Sequence, residues 1–122
     1  MFDLNNLKKI NDEYGHDVGD RYIVTFANAL EKIWTGHSFV GRIGGDEFIV
    51  FSDNKLSEVK KSIEKTNQLF GQACEKEQSQ LQYSFAYGYA NSKEDKEDNV
   101  ENLIEKSDKR MYSYKENQKK MG

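Results

Sequence analysis

The sequence predicts an α+β domain with a mostly antiparallel central sheet flanked by helices, and three observations carry that reading. Apolar residues recur at three- and four-residue spacing in the segments beginning near Asp20, Leu56 and Val100, the period of helices with one buried face. Two short apolar runs, Phe39-Val40-Gly41-Arg42-Ile43 and Phe48-Ile49-Val50-Phe51, flank Gly44-Gly45-Asp46-Glu47 as the arms and tip of a β-hairpin. Leu81, Tyr83, Phe85, Tyr87 and Tyr89 alternate strictly, which is the period of a strand. The resulting order is strand, helix, helix, hairpin, helix, strand, helix.

Taken in order, Met1 to Leu4 reads as the end of a strand, which puts Asp3 at its C-terminal edge. Asn5 or Asn6 caps a short helix running to Tyr14, and Gly15 stops it. A second helix is predicted from about Asp20, an N-cap residue type, with Ile23, Phe26, Ala27, Leu30, Ile33 and Trp34 on one face and Gly36 after its end. At the hairpin tip, paired glycines allow positive φ and let a ligand approach the bare backbone. A third helix from about Leu56 to Glu75 turns Leu56, Val59, Ile63, Phe70 and Ala73 inward. The strand Leu81 to Ala90 follows; its aromatic stripe is a sheet face under helices rather than a base-stacking platform. After the charged loop Lys93 to Asp98, a last helix from Val100 to about Glu116 presents Val100, Leu103, Ile104, Ser107, Met111 and Tyr114 inward. Lys115, Lys119 and Lys120 leave a basic end.

At 122 residues the chain is one domain, with no room for a separate sensor module. Eighteen Lys and Arg against 21 Asp and Glu give a net charge of −3, so no basic face is expected to track nucleic acid, and any nucleotide bound is a small one. The single cysteine, Cys74, falls in a helical pattern, excludes an internal disulfide and suits a reducing compartment. No apolar run approaches the roughly 20 residues of a membrane span, and Met1-Phe2-Asp3-Leu4 has no signal-peptide character, so a cytoplasmic location is expected.

The hairpin tip is where chemistry is expected. Turning a hairpin does not require Asp46 and Glu47 together, and two adjacent carboxylates repel unless a cation lies between them. The competing reading is a solvated tip made of ordinary turn residues. Mg²⁺ takes oxygen ligands and usually combines one or two carboxylates with substrate phosphates. Asp3 would join Asp46 and Glu47 if its strand lies beside the hairpin.

The run Phe2-Asp3-Leu4-Asn5-Asn6-Leu7-Lys8-Lys9-Ile10-Asn11-Asp12-Glu13-Tyr14-Gly15-His16-Asp17-Val18-Gly19-Asp20, followed by Gly44-Gly45-Asp46-Glu47-Phe48, resembles the GGDEF family of diguanylate cyclases. The resemblance implies a fold similar to nucleotidyl cyclase and polymerase palm domains, with a ferredoxin-like core. It implies that two GTP are converted to cyclic di-GMP and two pyrophosphates across a homodimer of facing half-sites. It also implies two Mg²⁺ or Mn²⁺ ions per site, held by Asp3, the Leu4 carbonyl, Asp46 and Glu47, with Glu47 a second acidic ligand or a proton acceptor. By the same resemblance Asn11 and Asp20 contact guanine, and His16 is another substrate contact. Lys8, Lys115 and Lys119 contact phosphates, and Gly44 and Gly45 line the substrate. Lys119 stands where an arginine is usual, which keeps the charge but loses the bidentate fork.

The chain departs from the family pattern in four further places. Asn5 replaces a common second acidic residue. Thr35 and Ser38 stand where many cyclases carry Arg-x-x-Asp, so feedback inhibition through that site is not expected. The family's closing Gly-Arg-Asn turn and final strand have no counterpart at Asn117 to Gly122. Before Asp3 the family has a helix and most of a central strand, so residues 1–122 read as one GGDEF-type domain shortened at its front and at its last strand. An upstream sensor domain is expected by resemblance and is absent from this chain. The isolated polypeptide is therefore expected to show weak activity or none, and the alternative reading is a non-catalytic module that binds GTP or a protein partner.

Overall fold

The computed structural model describes residues 1–76 and 82–121. The elements are β1 (Phe2–Leu4), α1 (Leu7–Tyr14), α2 (His16–Ile33), β2 (Ser38–Arg42), β3 (Glu47–Ser52), α3 (Leu56–Lys76), β4 (Phe85–Tyr87) and α4 (Val100–Met121). Among the described residues the strands form one antiparallel sheet in the order β2-β3-β1-β4. This is the α+β architecture that the periodicities predict, in the same element order.

Alternation along β1 assigns the two faces of the sheet. Phe2 and Leu4 point into the larger core with Tyr22, Phe26 and Leu30 of α2 and Ile63 and Phe70 of α3. Met1 packs on the opposite face with Ile49, Ala86 and Met111 beneath α4. Phe26 lies at the centre, its ring within 5.1–5.7 Å of those of Phe2, Phe48, Phe70 and Phe85. Each such fully buried side chain contributes about 1.5–3 kcal/mol. α2 and α3 are also joined by a buried polar link, in which Trp34 Nε1 donates to Thr66 Oγ1 at 3.2 Å and Thr66 donates to the Ser62 carbonyl.

α4 lies directly on β4. A Cβ at Gly88 would fall 2.2 Å from the Met111 nitrogen and 2.3 Å from the Ser107 carbonyl, so only glycine permits the two backbones to meet. Met1 and Gly88 exchange backbone hydrogen bonds of 2.9 and 3.0 Å, which extends the β1–β4 ladder. Beyond Met1, a cavity of about 260 Å³ opens between β3 and β4, bordered by Phe51, Tyr89 and Leu103.

Several boundaries differ from expectation. α2 begins at His16, because Gly15 at φ +94° already breaks the chain and Asp17 sits favourably in the first turn. Asp20 is therefore a turn inside the helix and does not cap it. Asn6 is the N-cap of α1, but in the left-handed region and with no side-chain cap bond; its carbonyl accepts from the Ile10 N–H at 2.9 Å. Positive φ among the glycines belongs to Gly15 and Gly36, so the tip turns without it at Gly44 and Gly45. α4 runs to Met121, past the expected end near Glu116. Val100, in its first turn, is exposed, and Tyr114 is partly so, with its ring lying against that of Tyr87 at the edge of the sheet at 4.5 Å. The paired part of β4 is three residues long; Leu81, expected at its start, lies outside the described residues.

Candidate functional site

β1 is central in the sheet, and that position assembles the site. Asp3 is the register partner of Glu47 on one side and of Ala86 on the other. The Leu4 N–H donates to the Asp46 carbonyl at 2.8 Å, stitching the hairpin tip to the end of β1. Two residues far apart in sequence from Asp3 thus stand beside it. The tip is held from behind by Arg42, whose Nε donates to the Gly44 carbonyl at 3.0 Å and whose second guanidinium nitrogen donates to the Gly45 carbonyl at 2.8 Å. A Cβ at Gly45 would meet nothing within 4 Å, so this backbone is open to approach.

Asp3 is 7% exposed, and its two oxygens have different fates. Oδ2 accepts from Lys115 Nζ at 2.7 Å, while Oδ1 is buried without a hydrogen-bond partner. Burial pushes the Asp3 carboxyl above its ordinary range and Asp46 beside it pushes the same way, against the pull of Lys115. Glu47 is raised chiefly by burial, then by Asp3, Asp108 and Asp46. The site is an acidic cluster short of positive charge, with a buried oxygen lacking a partner, and that donor set fits a divalent cation. Among the described residues, no three His, Cys, Asp or Glu side chains converge closely enough to hold a metal ion by themselves. Waters and substrate phosphates would complete such a shell.

The other expected residues divide into groups. Asn11 lies half-buried against α2, where a Cβ at Gly19 would coincide with its Oδ1 at 1.7 Å; the bare Gly19 makes room for this amide, one residue before the exposed Asp20. Lys8 is exposed in the first turn of α1, and His16 is exposed as the first residue of α2. Lys115 is drawn to Asp3. Lys119 is not: its side chain is 67% exposed and pairs weakly with Glu116 at 3.9 Å.

Sequence reasoning missed the supports. Arg42 was legible as a cation two positions before the paired glycines. Gln118 donates to the Phe85 carbonyl at 3.1 Å and accepts from Asn5 Nδ2 at 3.1 Å, fastening α4 beside Lys115. The buried Tyr22 hydroxyl lies 2.9 Å from the Asn5 carbonyl and 2.7 Å from the Ser84 carbonyl, fixing the chain just after β1.

Three comparisons bear on this geometry. Residues 1–121 match the family described as "Diguanylate cyclase, GGDEF domain". The chain is 35% identical over 122 residues to "Signaling protein YkoW" of Bacillus subtilis, a match that covers 98% of this chain and 15% of that protein. A protein named "Diguanylate cyclase" from Vibrio cholerae is 42% identical over 52 residues, 43% of this chain and 16% of that protein. The chain thus spans only a small part of the length of these curated relatives. Among solved structures, the "active GGEEF domain of a diguanylate cyclase from Vibrio cholerae" superimposes with a TM-score of 0.78 at 25% identity, covering 95% of this chain and 74% of that one. No helix among the described residues is long and apolar enough to cross a membrane.

Proposed function

The chain belongs to the GGDEF domain family, and from that premise we propose that it is one half-site of a diguanylate cyclase, which joins two GTP into cyclic di-GMP with release of two pyrophosphates. The observation that carries this reading is the pairing of Asp3 with Glu47 beside Asp46, with one Asp3 oxygen buried and unpartnered. A solvated hairpin tip would have no reason to bury a carboxylate beneath it.

Asp3, Asp46 and Glu47, with the Leu4 carbonyl, are the groups that would hold Mg²⁺ or Mn²⁺. When bound, two such ions would polarise the α-phosphate and offset the charge of the departing pyrophosphate. In this reading Asn11 and Asp20 take the guanine edge, where a carboxylate accepts from adjacent N–H donors. His16 flanks them. Lys8 and the free N–H groups opening α1 face phosphate oxygens, Lys115 and Lys119 add charge, and Gly44 and Gly45 leave space for the nucleotide. The 3′-oxygen of one GTP attacks the α-phosphorus of the other. The new phosphodiester bond forms as the bond to the bridging oxygen of pyrophosphate breaks. Glu47, at the tip beside the attacking oxygen, accepts the hydroxyl proton. A second displacement with the nucleotides exchanged closes the ring. One domain holds one GTP, so the reaction needs two copies facing each other.

The test pairs GTP binding by calorimetry with chromatographic assay of cyclic di-GMP in Mg²⁺, beside an Asp46→Ala variant. Product that falls at least a hundredfold in the variant, about the loss expected when transition-state charge stabilisation is removed, supports the cyclase. A folded protein that binds GTP and forms no product is a binding module instead, a reading favoured by the absence of a pre-assembled three-ligand metal site among the described residues.

A further inference from the structure

Met111, buried under the sheet, fixes the face of α4 that looks at Asp3, because Lys115 stands one turn further along the same face. The side chain is not loose: it is 27% exposed and ends 2.7 Å from a carboxylate that is itself 10% exposed. Gln118, three residues on, pins the same stretch of helix to β4 and Asn5. An ammonium therefore sits against one oxygen of the carboxylate whose other oxygen is buried and unpartnered. Two cations bound to the same small carboxylate repel strongly at such range, where burial limits screening by solvent.

We propose that Lys115 is the resident counter-ion of this site, competing with an incoming divalent cation for Asp3, so that cation binding and the Lys115–Asp3 pair exclude one another. This rests on the cation-binding reading of the site given above. The device has a physical purpose. A buried carboxylate without a partner is costly, and a lysine at hand satisfies it until a better cation arrives. The flexible four-carbon stem lets the ammonium leave without moving the backbone. On release, the positive charge stays within reach of the site and can meet an anion there, so loading the cation also presents a cation to the substrate.

The experiment is a titration with Mn²⁺ alone, without nucleotide, followed by electron paramagnetic resonance. It compares the unaltered protein with Lys115→Met, Lys115→Arg and Asp3→Asn, each checked for folding by circular dichroism. Lys115→Met should bind Mn²⁺ about tenfold more tightly, the change expected for removing one competing charge-assisted hydrogen bond. Lys115→Arg keeps the competitor and should bind no more tightly than the unaltered protein. Asp3→Asn should lose binding. Unchanged or weaker affinity in Lys115→Met, with binding still lost in Asp3→Asn, overturns the competition alone. Binding retained by Asp3→Asn overturns the cation site and the competition with it. Should Lys115→Met not fold, acetylation of the unaltered protein read by mass spectrometry decides. Mg²⁺ should speed modification of Lys115 and leave the exposed Lys109 unchanged, and an unchanged Lys115 rate overturns the proposal.

Discussion

Gly19 has no side chain because Asn11 uses the space. Close to the start of α2 a glycine still costs helix stability, so its presence needs a reason, and the 1.7 Å overlap between a Cβ there and Asn11 Oδ1 supplies one. The atom displaced by Gly19→Ala is the end of a side chain, which can swing away. The variant should therefore keep or raise its thermal midpoint, since alanine favours the helix by roughly 1 kcal/mol. GTP affinity should fall about tenfold, the worth of a good hydrogen bond to the base. Calorimetry and a thermal melt together check this, and unchanged GTP affinity would remove Asn11 from the base site. The acidic cluster of the candidate site was legible because Asp3, Asp46 and Glu47 sit in short motifs. The contact between Asp3 and Lys115 was not, because 112 residues separate them and only the crossing of α4 over β1 brings them together.

Among the elements, β1 shows how a three-residue strand can organise a domain. Its Phe2 and Leu4 enter the larger core, Met1 just before it enters the smaller one, and its Asp3 carries the acidic site. The helices were legible from apolar spacing, yet the start of α2 was not, because Gly15 and Asp17 compete with Asp20 as boundary signals and the first turn carries little apolar pattern. The segment Lys93 to Asp98 was legible only as a charged loop, and Asp95 within it is an anchor. Arg110 donates to its two oxygens at 2.7 and 3.1 Å and to the Tyr89 carbonyl at 2.9 Å, and the Asn91 N–H adds a bond of 2.9 Å. The Arg110 bonds first, then the Asn91 N–H, hold the Asp95 carboxyl well below its ordinary value of 3.8. A carboxylate lowered on folding adds stability that is present above the unfolded pKa and lost as pH falls through the folded one. The midpoint gap between the unaltered protein and Asp95→Asn should therefore be constant above about pH 5 and narrow progressively as pH falls below about 4. Thermal melts across that range check it, and a gap that persists in acid would mean the loop is held by something other than this pair.

At the scale of the whole molecule, the α2 and α3 layer builds the larger core and the α4 layer brings Lys115 to the site, with the sheet between them. The proposed half-site would make product only when it meets a second copy, so encounter matters as much as the residues. The measurement that tests it most directly is the rate of cyclic di-GMP formation per chain as a function of protein concentration, for the chain alone and for the chain fused to a dimeric coiled coil. For the free chain the per-chain rate should be low and rise with concentration. The fusion, which supplies an effective concentration in the millimolar range, should give a higher rate independent of concentration. Both should be lost with Asp46→Ala. A folded fusion that binds GTP and yields no cyclic di-GMP, or a free chain whose per-chain rate is flat with concentration, would contradict it.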